Sequence, residues 1–149
     1  MEIQIKTFKE FQLEELYQVL QLRTEVFVVE QDCVYQDLDG LDQKAIHVLG
    51  KKNGKIVAYT RIFKAGDYFK NPSIGRVVVK NEERKYGYGK IIMNASIDYI
   101  QSYYNAASIE LSAQSYLIRF YEDLGFVSTG EEYLEDGIPH VRMLCKLKS

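Results

Sequence analysis

The segment from Gly75 to Ala113 constrains this chain more than any other part of it. GRVVVK, Gly75 to Lys80, carries consecutive β-branched residues that suit a buried strand. A short charged loop follows, then a helix-like stretch from about Lys90 to Tyr104 with Ile92, Ala95 and Tyr99 on one face, then a second strand at Ile109 to Ala113. Parallel neighbours need a long crossover, so this order reads as a right-handed strand-helix-strand unit of an α/β protein.

The junction inside that unit is RKYGYGK, Arg84 to Lys90. The first N–H groups of a helix have no intrahelical partner and point outward, and Gly87 and Gly89 place no Cβ between them and an approaching oxygen. Arg76, Lys80, Arg84, Lys85 and Lys90 outnumber Glu82 and Glu83 in this region. The surplus favours a polyphosphate over a carboxylate; the plainer alternative is a strand-to-helix turn made soluble by its charges. Two familiar phosphate motifs fail. A dinucleotide fingerprint needs Gly where Ile92 stands, and a P-loop needs Ser or Thr where Ile91 stands.

The rest of the chain supplies flanking elements. Ile3 and Ile5 alternate like a half-buried strand, and Leu13, Leu16, Tyr17, Leu20 and Phe27 recur at helical spacing. Ile46, Val48, Ile56, Ala58 and Ile62 flank a tight turn at Asn53-Gly54, the mark of an antiparallel hairpin. A short helix carries Leu117, Phe120, Tyr121 and Leu124 and stops at Gly125. A last hairpin turns at Asp136-Gly137 between Glu132-Tyr133 and a strand from Val141 to Leu147.

No repeat, linker or low-complexity run divides the 149 residues, so one domain over 1–149 is expected. Nineteen Lys plus Arg against 21 Asp plus Glu give a net charge of −2, which argues against a general nucleic-acid binder. Nothing resembles a signal peptide or a spanning helix, and a cytoplasmic protein without membrane partners is expected. Cys33 and Cys145 read as reduced thiols, and with His47 and His140 they give no paired metal-ligand spacing, so no metal is expected.

R-x-x-G-x-G after a strand, with FYEDLGF some thirty residues on, resembles the GNAT superfamily of acetyl-CoA-dependent N-acetyltransferases. LRTEVFVVEQ, YQDLDGLD, GRVVV, AQSYLIRFYEDLGF and EEYLEDGIPHVRM, in that order, resemble its ElaA-like branch over nearly the whole chain. The resemblance implies an α/β domain whose mixed central sheet, flanked by helices, is splayed between the two parallel strands. It implies that the pantetheine arm of acetyl-CoA pairs with the backbone of Val77, Val78 and Val79. The pyrophosphate is then expected on Arg84, Lys85, Tyr86, Gly87, Tyr88, Gly89 and Lys90. Gln114 stands where many members carry an Asn that contacts the cofactor arm, and Tyr121 where the CoA sulfur is protonated. A helix terminus contributes only about 0.3–1 kcal/mol toward an exposed anion, whereas micromolar affinity needs about 8 kcal/mol. Strand-like hydrogen bonds and apolar contacts must therefore supply much of the binding.

Direct acetyl transfer needs a neutral amine, donors for an oxyanion and a proton for the departing thiolate. A backbone N–H near Val78 is the expected oxyanion donor, and a phenol such as Tyr121 stays protonated at neutral pH, although its place on an apolar stripe equally suits packing. A lysine-like acceptor arrives mostly as ammonium, so a base is needed. Glu30, Glu110, His47 and His140 are all eligible and the sequence selects none. Glu25, Glu30, Asp32, Asp37, Asp39 and Asp42 fall in a stretch without Lys or Arg, read chiefly as a solvated acidic loop and otherwise as a device that steers a cationic amine. The resemblance implies that this helix and loop border the acceptor site. Arg23 either binds an acceptor carboxylate or pairs with a neighbour such as Glu25 or Glu30. The expected function is acetyl transfer from acetyl-CoA, without metal, to a primary amine of a small molecule or peptide, by a monomer or homodimer. The rival is a non-catalytic acyl-CoA-binding module, and a nucleotide-binding protein is the third reading.

Overall fold

Asn53 and Gly54 take φ of +53° and +76°, the two left-handed residues of a tight hairpin turn, and so β2 (Ile46–Lys52) returns as β3 (Lys55–Phe63). Asp136 and Gly137 do the same, at +51° and +77°, between β6 (Val127–Glu135) and β7 (Ile138–Lys146). The computed structural model describes residues 1–148 and joins these hairpins to β1 (Glu2–Thr7), β4 (Ser73–Val79) and β5 (Ser108–Gln114) in one sheet ordered β1-β2-β3-β4-β5-β7-β6. Every pair is antiparallel except β4 with β5. The expected crossover between those two is α2 (Tyr88–Tyr103), which begins two residues earlier than the sequence reading placed it.

Alternation along the strands gives the sheet two apolar faces. On one, Val48, Ala58, Ile62, Leu111 and Val141 pack with Ile92, Met93 and Ile100 of α2 and with Tyr121 of the short α3 (Ile118–Glu122). Complete burial of Ile92, Met93 and Ile100 contributes about 1.5–3 kcal/mol for each side chain. On the other face Leu49, Tyr59 and Val78 pack with Val19, Leu22 and Val26. These last three come from α1 (Leu13–Arg23) and from the wider helical turns of Thr24–Glu30 that continue it.

The expected stripe on α1 is corrected here. Leu13 and Tyr17 are exposed, and the buried face is Val19, Leu22, Arg23 and Val26. From Val26 onward the backbone bonds span five residues, Gln31 N to Val26 O at 3.1 Å and Cys33 N to Val28 O at 3.0 Å, which rotates the later side chains off an α-helical phase. The solvated acidic loop is corrected too. Asp37 and Asp42 are buried, and they rather than Glu25 or Glu30 pair with Arg23, which has no exposed surface. Arg23 Nε lies 3.0 Å from Asp37 Oδ2 and Nη1 lies 2.8 Å from Asp42 Oδ1. Arg61 joins them, 2.9 Å from Asp42 and 2.5 Å from Asp39.

Candidate active site

β4 and β5 share a single aligned pair, Ser73 with Glu110, and then part. The separation follows a bulge: Tyr59 and Arg61 on β3 oppose Val78 and Gly75, so β4 holds an extra residue there. Arg76 sits in it with φ of +49°, an uncommon conformation for a side chain of that size. Its guanidinium is tied down, Nη2 donating to the Asp37 carbonyl at 2.9 Å and Nε lying 2.8 Å from Asp37 Oδ1. The buried Arg–Asp cluster thus fixes the bend from which the two strands diverge.

A cleft of about 780 Å³ occupies the divergence, within the usual range for ligand pockets. Beyond Ser73, the edge of β4 that faces β5 has no strand partner among the described residues; Arg84 Nε donates to the Val79 carbonyl at 3.0 Å, and the other backbone groups of that edge are available to an extended ligand. At the end of that edge α2 starts from Gly87, left-handed at φ +74°, with no side-chain cap and no acid in its first turn. α1 is different, since Glu15 Oε1 accepts the backbone N–H of Gln12 at 3.1 Å. The start of α2 is therefore the anion-seeking one.

Val77, Val78, Val79, Arg84, Gly87, Gly89, Lys90 and Gln114 line the cleft together with Tyr121. Lys85, Tyr86 and Tyr88 lie outside that lining; Tyr86 stacks near Tyr88 and takes Lys52 Nζ over its ring at 4.2 Å. The two glycines differ in purpose. Gly87 permits the left-handed turn, whereas a Cβ on Gly89 would stand 3.2 Å from Phe120 Cζ, so Gly89 lets α2 approach the α3 region. The basic surplus is also smaller than its composition suggests. Arg76 is held by Asp37, Arg84 Nη1 lies 2.6 Å from Glu30 Oε2, and Lys80 Nζ lies 3.7 Å from Glu25 Oε2. Among the described residues Lys85 and Lys90 have no carboxylate partner, and Lys90 faces the cleft.

Tyr121 is 6% exposed, edge-on to Phe120 and Phe126. Burial, then the nearby Tyr116, push its pKa well above that of an ordinary phenol, and among the described residues no hydrogen bond to protein holds its hydroxyl. It stays protonated and free to donate. Gln114 makes a reciprocal amide pair with Gln31, both contacts 3.2 Å, which ties the end of β5 to the segment after α1. Cys33 Sγ reaches the Asp136 carbonyl at 3.4 Å from the same segment.

The four eligible bases separate clearly. His47 is sealed: its Nε2 lies 2.9 Å from the Asp42 carbonyl, which can only accept, so Nδ1 accepts from the Tyr59 hydroxyl at 2.6 Å. Burial lowers its pKa and keeps it neutral. Glu110 is buried under Arg142 at 2.5 Å and takes a bond from Asn71. Glu30 lines the cleft but is occupied by Arg84, and His140 lines the cleft. Gln31, Cys33, Tyr35, Glu135 and Asp136 also line the cleft, with Glu135 Oε2 3.3 Å from His140 Nε2. No sequence signal marks these five as neighbours, since β5 and β7 must first pair to bring the Asp136 turn beside the segment after α1.

Residues 4–147 match the family model described as an acetyltransferase (GNAT) domain. ElaA of Escherichia coli is 42% identical over 136 residues, covering 90% of this chain and 89% of that protein. A UPF0039 protein of Schizosaccharomyces pombe is 41% identical over 149 residues, 99% of this chain and 98% of its own. Among solved structures, an acyl-CoA N-acyltransferase from Pseudomonas aeruginosa superposes with a TM-score of 0.90 at 38% identity, covering 97% of this chain and 99% of the other. E. coli ElaA superposes with a TM-score of 0.90 at 39% identity and the same coverage.

Proposed function

The chain belongs to the acetyltransferase (GNAT) family, in company with ElaA, and from that premise we propose that it moves an acetyl group from acetyl-CoA to a primary amine by direct attack. The observation that carries this reading is the unpartnered edge of β4 running to an uncapped helix start within one cleft. Such a pair suits a ligand with an amide-bearing arm and a pyrophosphate. Acetyl-CoA, when bound, supplies an acyl group activated as a thioester.

The chain's residues have separate tasks in this mechanism. The backbone of Val77 to Val79 pairs with the arm, and an N–H near Val78 donates to the carbonyl oxygen as negative charge develops on it. The first N–H groups of α2, with Arg84 and Lys90, hold the pyrophosphate, which requires Arg84 to exchange Glu30 for phosphate oxygens. Tyr121 donates its hydroxyl hydrogen toward sulfur as the carbon–sulfur bond lengthens. The apolar walls that raise the phenol's pKa also raise that of a thiolate formed beside it, which keeps the transfer feasible. The acceptor in this reading is a small-molecule or peptide amine, without nucleic acid or membrane. No helix among the described residues is long and apolar enough to cross a membrane. A cytoplasmic setting, where both thiols stay reduced, fits the reading.

Calorimetric titration with acetyl-CoA, CoA, ATP and NAD at one salt concentration tests the donor. Selective micromolar binding of the CoA forms is expected. Absence of heat with both CoA forms would remove the donor and the mechanism with it.

A further inference from the structure

Alternation along β5 and β7 puts the cleft's two hydrogen-handling side chains on opposite faces of the sheet. Leu111, Ala113 and Val141 face the same core as Tyr121, so their neighbours Gln114 and His140, paired across β5 and β7, face the other way. That second face carries α1 and the segment after it, as the Gln31–Gln114 amide pair shows. The cleft passes between the parted strands and reaches both side chains.

The His140 ring is held in one tautomer. Its Nδ1 lies 2.7 Å from the Ile138 carbonyl, which can only accept, so Nδ1 carries the hydrogen and the lone pair is on Nε2. His140 is 6% exposed and lines the cleft, and among the described residues its Nε2 makes no hydrogen bond. Glu135 Oε2 stands 3.3 Å from Nε2, on a side chain exposed enough to move.

We propose that His140 is the general base of this enzyme, taking a proton from the acceptor amine on the α1 face while Tyr121 serves the sulfur from the other. This rests on the acetyl-transfer reading above. An acceptor arriving as RNH3⁺ loses one proton to Nε2, and His140 passes it to water. The neutral nitrogen attacks, the carbon–nitrogen bond forms and the carbon–sulfur bond breaks. The proton then lost by nitrogen balances the one Tyr121 gives to sulfur, so RNH3⁺ and acetyl-CoA yield the amide, CoA–SH and one H⁺. Among the described residues Glu135 and Tyr133 of β6 contact the ring, Arg142 stands two residues further along β7, and Asp136, Cys33 and Tyr35 line the same cleft. Tyr133 stacks on the ring and is pushed up by burial, and Arg142 is engaged by Glu110 and Glu131, so Glu135 is the carboxylate beside Nε2.

The first arm of the test needs no acceptor. Nitrogen-15 NMR of the full chain should show the neutral His140 ring with its hydrogen on Nδ1. A ring carrying its hydrogen on Nε2 would overturn the proposal. In the second arm, CoA release from acetyl-CoA is followed with spermidine and, without amine, with water as acceptor. His140→Gln should lower kcat/KM by about 100-fold or more while acetyl-CoA affinity stays within about twofold. It should also abolish the acid limb of the pH profile. Imidazole should partly restore His140→Ala, which separates chemistry from a folding defect. A His140→Gln rate within about threefold of wild type, with an unchanged profile, overturns the base and leaves the acetyl-transfer reading intact. Wild type that binds acetyl-CoA but releases no CoA with either acceptor also overturns the base, leaving only the donor site. Wild type that binds no acetyl-CoA overturns the transfer reading itself.

Discussion

At the scale of single residues, burial decides what a side chain can do with a proton. Tyr121 and Tyr59 are both buried phenols with raised pKa, but Tyr59 donates to His47 whereas the Tyr121 hydroxyl has no partner among the described residues. Only the second is free to serve a ligand. Tyr121→Phe keeps the ring that Phe120 and Phe126 contact and removes the donor. Acetyl-CoA affinity should stay within about twofold and kcat should fall by about 100-fold, measured by calorimetry and by CoA release. An unchanged rate would reduce Tyr121 to packing. The two histidines make the same point. His47 and His140 are indistinguishable as letters, yet His47 has both ring nitrogens bonded and His140 has one open.

At the scale of elements, the junction between β4 and α2 joins a bend to an open helix start. Its glycines carry separate demands, one for a left-handed turn and one for the approach of Phe120. Gly89→Ala therefore tests packing, since the end of the Phe120 ring must shift by a few tenths of an ångström. Gly89→Glu adds a carboxylate that competes with phosphate for the same N–H groups. Acetyl-CoA affinity should fall at least tenfold in Gly89→Glu and only a few-fold in Gly89→Ala, read by calorimetry. Equal losses would show that no anion sits there. The strands, hairpins and crossover were legible because alternation, β-branching and turn residues act over a few positions. The buried face of α1 was not, because a widened turn after it and a charged residue within it both depend on distant partners.

At the scale of the molecule, three arginines and three aspartates bind the loop after α1 to β3 and β4. Burial raises the Asp39 carboxyl, but hydrogen bonds and charge from Arg61 outweigh it and hold the pKa at about 2. Asp42 is lowered in the same way against its burial, with Arg23 and Arg61 as partners. Glu15, bridging Lys51 and Lys6, is likewise held at about 2 despite its own burial. A depressed carboxylate stabilises the fold fully above its unfolded pKa, near 4, and that contribution is lost as pH falls through the folded value. The denaturant midpoint should therefore fall between about pH 4.5 and pH 2, and Asp39→Asn should show a shallower fall over that window. A midpoint flat to pH 2.5 would mean that the cluster adds no pH-dependent stability.

The sequence by itself determined the α/β order, the crossover, both tight turns, the glycine-bearing junction and the family, because each is written in neighbouring residues. Its resemblance to that family also brought Val77 to Val79, Arg84 to Lys90, Gln114 and Tyr121 forward as one set, of which Lys85, Tyr86 and Tyr88 lie outside the lining of the cleft and the others within it. Only the tertiary structure decided that Arg23 pairs with Asp37 and Asp42, that Arg84 is shared with Glu30, and that His140 rather than His47 is open to the cleft. Those outcomes join residues far apart in the chain. They are set by strand order, by a bulge of one residue and by which groups are sealed from water, none of which a short window of sequence contains.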